Sequence, residues 1–167
     1  LSTLLILTLG YYFNAQACTI IAVGKNASSD GSVIVSQTDN GDDCRIRIVP
    51  AMDHKPGSQA AVYWGIQHID QPLNEYGEIL GYIPQVEHTF QYFHSAYSHM
   101  NEHQLAIGES TTSMREELKF KREDNKQIMT IEQAQIFALQ RFTKSREAVA
   151  FIGELMSKYG FLPSCVG

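Results

Sequence analysis

The sequence predicts a mixed α+β fold, in which several short strands come first and a pair of helices follows. Residues 18–23 and 32–38 are rich in β-branched and small side chains and have turn formers between them, which predicts a hairpin. After Thr130 the apolar residues recur at helical spacing. Strands followed by helices indicate an antiparallel sheet with the helices packed across one face.

The segment after the hairpin is predicted to form short strands joined by loops. Polar and apolar side chains alternate over 45–49, as they do in a half-exposed strand. The Pro and Gly content of 50–58 predicts a loop, and the stretch from there to Pro84 is expected to be irregular with short strands.

A second strand pair is predicted further along the chain. The aromatic run 90–97 is typical of a strand, and residues 101–104 are interpreted as the turn into another strand over 105–109. Charged residues then accumulate over 115–126 without an apolar stripe, which indicates a surface loop or a frayed helix.

Two helices are predicted near the end of the sequence. The first follows Thr130, which can form a capping box with Gln133. The second begins at Ser145 and ends at Gly160, because glycine commonly terminates helices. Residues 161–167 include no strand that would close the layer, so the sequence is expected to be the N-terminal part of a longer domain.

Composition limits the partners. The chain has 167 residues, of which 44% are hydrophobic and 19% charged, as in an ordinary soluble domain. Its formal net charge is -5, whereas nucleic acids and anionic membranes require clustered Lys and Arg. Small molecules or peptides are therefore the expected partners.

Residues 1–17 are predicted to be a signal peptide. An apolar run over 4–10 precedes the small-x-small site Ala15-Gln16-Ala17, so cleavage would leave Cys18 first and the mature protein secreted or periplasmic. The alternative is a lipoprotein anchored through an acylated Cys18, although Ala15 stands where such sites usually carry a large aliphatic residue. Acylation would block the α-amine, so the two readings exclude each other.

The sequence contains three cysteines, which leaves one over after any internal disulfide. If Cys18 is reactive, Cys44 and Cys165 could pair, but their separation in sequence does not decide it. His94, His99 and His103 fall across a strand and a turn, and the chain has neither a CxxC nor an HExxH motif. No metal site is therefore predicted, and the histidines are expected to be hydrogen-bonded.

An N-terminal cysteine carries its nucleophile and its base on one residue. A thiol has an ordinary pKa of about 8.5 and needs a base to react as thiolate at neutral pH. An α-amine titrates near ~7.7–8.0, so a useful fraction is neutral and can take the thiol proton. With residues 1–17 attached, that amine is a peptide amide, and the precursor is expected to be inactive.

Acyl transfer also needs groups around the nucleophile. Asn101 is a candidate donor to the oxyanion of the tetrahedral intermediate. Asp39, at the end of the strand paired with the one that Cys18 begins, is a candidate to hold the α-ammonium or a substrate amine. Glu109 and Ser110 are interpreted as binding a substrate terminus or as capping a strand end. An Asx turn is the structural alternative for both Asp39 and Asn101.

A combination of motifs resembles the secreted dipeptidase family of N-terminal-nucleophile (Ntn) cysteine hydrolases. The resemblance covers nearly all of the mature chain, and its motifs are Ala17-Cys18-Thr19-Ile20-Ile21-Ala22-Val23-Gly24-Lys25, Asp30-Gly31-Ser32, Ser36 to Asp39, Asp53-His54-Lys55-Pro56-Gly57, Met100-Asn101-Glu102-His103 and Ile107-Gly108-Glu109-Ser110-Thr111.

The resemblance implies an αββα sandwich, with 18–167 as the N-terminal portion of the domain, and hydrolysis of dipeptides without a metal or other cofactor. Carried over by position, Cys18 is the nucleophile and its α-amine the base. The wider superfamily has Arg-Asn-x-Asp after its second strand, where this chain has Ser36-Gln37-Thr38-Asp39. Asp39 therefore matches, and Ser36 replaces the arginine. Alternatives are a hydrolase of other amides, such as N-acyl amino acids, and a non-catalytic exported protein.

Overall fold

A computed structural model describes residues 18–38, 45–64, 78–110, 115, 117 and 126–163. Within them lie nine strands and two helices. The strands are β1 (Thr19–Val23), β2 (Ile34–Thr38), β3 (Arg47–Val49), β4 (Met52–Asp53), β5 (Gln59–Tyr63), β6 (Ile79–Pro84), β7 (His88–Thr89), β8 (Tyr92–His94) and β9 (Met100–Asn101). The helices are α1 (Ile131–Arg141) and α2 (Ser145–Tyr159).

The described strands form four small antiparallel sheets. β1 pairs with β2, β4 with β7, and β5 with β6, while β8 lies between β3 and β9. Strands precede both helices, so the α+β class is confirmed. The αββα sandwich that the resemblance implies stays a prediction, because these small sheets do not by themselves establish two stacked layers.

The first hairpin is confirmed. β1 and β2 are in register from the pair Thr19–Thr38 to the pair Val23–Ile34. The connection between them is a turn region in which the Asp30 side chain accepts a hydrogen bond from the Ser32 amide at 3.0 Å. That carboxylate is exposed, and its hydrogen bonds with Ser32 lower the pKa of Asp30.

Two strand predictions in the middle of the chain need correction. The aromatic strand predicted over 90–97 is only three residues long, as β8. The prediction of a strand over 105–109 is wrong, because the only pairing described there is a single bridge between Ala106 and Met100. The Asn101 side-chain oxygen accepts hydrogen bonds from the His103 and Leu105 amides. The Leu105 amide is therefore bonded within the local turn, whereas in a strand it would be available to a neighbouring strand.

The loop prediction over 50–58 is largely correct but misses β4. The strand prediction over 45–49 is confirmed in its last three residues, as β3. Most of the charged segment 115–126 lies outside the described residues.

Both helices begin and end close to the predicted residues. The Thr130 side chain accepts from the Gln133 amide at 3.4 Å, which is one half of the predicted capping box. The Gln133 side chain instead accepts from the Tyr63 amide at 2.7 Å. It therefore joins the start of α1 to β5, a contact between distant parts of the chain. The part of the chain that the structure describes contains no helix that is both long and apolar enough to span a membrane.

Helix α1 lies at the centre of the packing. Residues 132–139 are all buried, and the apolar side chains among them contribute to two apolar clusters. One cluster contains Ala60, Val62, Ile83, Met129, Ala134, Phe137 and Leu155. The other contains Tyr92, Leu105, Ile136, Ala138, Leu139 and Ala148. Only two residues of α2 are buried, so α2 covers α1 from outside.

Replacing Gly160 by alanine is expected to destabilise the fold by about 1–3 kcal/mol. Gly160 has a φ of 73°, and an added Cβ would lie 3.0 Å from Gln127 Cβ. Gly24→Ala is the matched control, because a Cβ there meets nothing within 4 Å. Urea unfolding of the two variants measures the difference, and equal midpoints would contradict this reading of the helix end.

Candidate active site

Cys18 lies immediately before β1 and is half-buried. Its main-chain carbonyl accepts a hydrogen bond from Ser110 Oγ at 2.8 Å. The amide of the next residue, Thr19, donates to Thr38 Oγ1 at 3.2 Å. The backbone on the C-terminal side of the cysteine is thus held from two directions, by β2 and by a segment 92 residues away in sequence.

Residues 108–110, here called the covering segment, lie against the β1–β2 hairpin. A Cβ on Gly108 would be 3.1 Å from Ile20 Cγ2 and 3.5 Å from Val35 Cγ1, so a larger residue would push the segment away. The Glu109 amide donates to Gln37 Oε1 at 2.6 Å. The small residue and this hydrogen bond bring Ser110 within reach of Cys18.

The structure therefore brings together three of the residues predicted for the site, Cys18, Glu109 and Ser110. The contacts of Glu109 and Ser110 shown here are to the hairpin, through a backbone amide and a hydroxyl. Asp39 lies outside the described residues, as do Cys44 and Cys165. The hairpin register ends at the pair Thr19–Thr38, one residue from Cys18 along one strand and one residue from Asp39 along the other.

Asn101 forms the Asx turn that was the structural alternative for it, because its Oδ1 accepts from the His103 amide. It is 3% exposed, and its Nδ2 donates to the carbonyls of Leu139 and Phe142 at 2.7 and 2.8 Å. Its Oδ1 accepts from the His103 and Leu105 amides. An amide side chain has two donor hydrogens, and both are used here. These bonds give Asn101 a structural role; a role as oxyanion donor stays a prediction that would need one of them to open.

The three histidines have separate partners. His94 Nδ1 lies 3.1 Å from Ser98 Oγ, the His99 ring stacks on Phe93, and the His103 ring meets Phe90 edge-on. Among the residues that the structure describes, no group of three or more His, Cys, Asp or Glu side chains is arranged to hold a metal ion.

A cavity of about 350 Å³ lies along β2, between that strand, the loop that joins β8 to β9, and the residues before the covering segment. Its described lining is Val35, Ser36, Gln37, Ile46, Ser95, Ala96, Tyr97, His99, Met100, Ala106 and Ile107. Burial lowers the pKa of His99, which favours the neutral form of its ring.

Gln37 is a site residue that sequence reasoning missed. It joins the hairpin to the covering segment and also lines the cavity. The available signal was a polar side chain at position 37, two residues before Asp39 on the strand opposite Cys18. Such a signal is weak, because polar residues are common on half-exposed strands.

A sequence model described as peptidase family C69 matches residues 17–165, which is nearly the whole chain. Searches of curated proteins and of solved structures found no significant match.

Proposed function

Because the chain belongs to peptidase family C69, which consists of cysteine peptidases, we propose that it hydrolyses dipeptides with Cys18 as an N-terminal nucleophile. The observation that most supports this proposal is the Ser110–Cys18 hydrogen bond, which ties the covering segment to the backbone of the cysteine at the start of β1. Catalysis is fastest when the reacting groups are held in a fixed geometry, which a mobile chain end does not provide. The hydrogen bond from Ser110 limits the motion of the backbone at Cys18.

The proposed reaction has two halves. The α-amine of Cys18 accepts the thiol proton, and the sulfur attacks the carbonyl carbon of the peptide bond. The tetrahedral intermediate collapses as the ammonium returns its proton to the leaving nitrogen, which leaves a thioester and releases the C-terminal amino acid. Water, deprotonated by the same amine, then attacks the thioester. The second collapse releases the N-terminal amino acid and restores the thiol.

Other groups have supporting roles in the proposal. Ser110 acts as a positioning residue, since its hydroxyl holds the Cys18 carbonyl. Asp39 is proposed to hold an ammonium group, either that of Cys18 or that of the substrate. Glu109 is proposed to bind a substrate terminus from the covering segment. The oxyanion is proposed to be stabilised by amide donors, of which Asn101 is a candidate only if it gives up one of its four bonds.

Replacing Ser110 by alanine is expected to lower kcat about fivefold with little change in KM, because one hydrogen bond contributes about 1 kcal/mol. Ser110→Thr keeps the hydroxyl and should restore most of kcat. Steady-state kinetics on one dipeptide measures both variants. A loss of activity in the threonine variant equal to that in alanine would contradict the positioning role.

We propose further that the protein is exported and that cleavage after Ala17 exposes the cysteine. The competing lipoprotein hypothesis predicts a diacylglyceryl group on Cys18. Intact-mass measurement with N-terminal sequencing distinguishes them. An unmodified Cys18 as the first residue supports the enzyme, and the mass of the lipid would exclude an amine base.

The substrate class is tested by product analysis. Mature protein beginning at Cys18 is incubated with a panel of dipeptides and, separately, with N-acyl amino acids. The proposal expects free amino acids from the dipeptides. Hydrolysis of the N-acyl amino acids alone would favour the other amidohydrolase function.

A further inference from the structure

We propose that the cavity along β2 is a side-chain pocket that selects dipeptides carrying an uncharged, apolar residue. This inference rests on the proposed function, because it takes Cys18 as the nucleophile. It adds the class of side chain that the site accepts.

The hairpin register relates the cavity to Cys18. In an antiparallel pair, facing residues share one face, so Ile20 and Gln37 lie together, as do Ala22 and Val35. Cys18 precedes β1 by one residue, and continuing the same alternation would put its side chain on that face. Diagonal neighbours on one face are about 7–8 Å apart, which is the relation of Cys18 to Gln37. This places Gln37, which lines the cavity, within reach of a substrate residue held at Cys18.

The described lining of the cavity is mainly apolar. Apolar side chains dominate it, among them Val35, Ile46, Met100 and Ile107. Its described residues include no Asp, Glu, Lys or Arg. Moving a charged side chain out of water without a counter-charge is costly, whereas apolar side chains gain from burial. The described part of the lining thus disfavours substrates with charged side chains.

The cavity wall also contains polar groups. His99 lies in the cavity wall and stacks on Phe93 with an interplanar angle of 10°. Its imidazole adds a polar group to a wall in which no described residue is an Asp, Glu, Lys or Arg. The volume of about 350 Å³ is at the small end of ligand pockets, which suits one side chain better than a long peptide.

The kinetic test uses mature protein beginning at Cys18 and two series of dipeptides. The first residue varies in one series and the second residue in the other. Wild type should prefer Leu, Met or Phe over Asp or Lys at one of the two positions by roughly tenfold or more in kcat/KM. His99→Asp should reduce the Leu-over-Lys ratio roughly tenfold at that position, by supplying a counter-charge. His103→Asp is the matched control, since His103 is exposed and outside the described lining, and it should leave the ratio unchanged.

A binding measurement keeps the inference testable without turnover. In Cys18→Ala protein, Leu-Leu should shift the NMR signals of the His99 ring and leave those of His103 in place, while Asp-Asp should shift neither. Absence of a His99 shift with Leu-Leu would overturn the pocket assignment, whether or not the wild type is active.

The kinetic and binding experiments together test the pocket and the proposed function separately. Turnover of all dipeptides at similar kcat/KM would overturn the pocket and leave the dipeptidase intact. Absence of turnover together with a His99 shift would support the pocket and contradict the dipeptidase.

Discussion

Cys18→Ser is expected to lower kcat/KM for dipeptides about a thousandfold or more, with normal folding. A serine hydroxyl is far less acidic than a thiol, so an α-amine is too weak a base to generate its alkoxide. The substitution exchanges one atom next to a backbone held by Ser110 and Thr38, so the hairpin should be unaffected. Steady-state kinetics gives the effect, and thermal unfolding confirms the fold.

The control for this substitution is a second cysteine. Cys44→Ser changes the same atom in a residue to which no catalytic role is assigned. It should retain most of the activity in any variant that folds. Full activity in Cys18→Ser would contradict the assignment of Cys18 as the nucleophile. The assignment would also be contradicted if a well-folded Cys44→Ser lost activity while Cys18→Ser did not.

Asn101→Ala is expected to lower the free energy of unfolding by about 3 kcal/mol or more. Removing this side chain leaves the Leu139 and Phe142 carbonyls and two turn amides without their hydrogen-bond partners, in surroundings that are buried or partly buried. Exposed Asn26 provides the control, since Asn26→Ala should change the stability by less than about 0.5 kcal/mol. Denaturant unfolding measures both variants.

The same substitution separates the structural from the catalytic role of Asn101. If the role is structural, Asn101→Ala destabilises Cys18→Ala protein as much as wild type, and activity falls only in proportion to the unfolded fraction. A large loss of kcat at temperatures where the variant is fully folded would instead favour the oxyanion role. Unchanged stability would contradict the structural reading of its four hydrogen bonds.

The sequence was most predictive where local interactions decide the structure. The helix boundaries follow from the spacing of apolar residues, the Thr130 cap and Gly160. The first hairpin follows from two β-rich runs around a turn cluster. These signals lie within a few residues of the element that they specify.

Long-range contacts account for most of what could not be predicted. Gln133 forms half of a capping box in sequence, but its side chain instead accepts from Tyr63, 70 residues away. Asn101 fitted a catalytic role because an amide side chain can donate to an oxyanion, whereas its buried partners are known only from the fold. The Ser110–Cys18 contact likewise joins segments that no local pattern relates.

The proposed mechanism requires the α-amine of Cys18 to act as the base for its own thiol. The most direct measurement compares two forms of the mature protein, one that begins at Cys18 and one that begins at Ala17. Mass spectrometry verifies both N-termini. Ala17 converts the amine into an amide and leaves every other side chain unchanged. We expect kcat/KM for a dipeptide to fall at least about a hundredfold in the extended protein. Equal activity of the two proteins would contradict the mechanism.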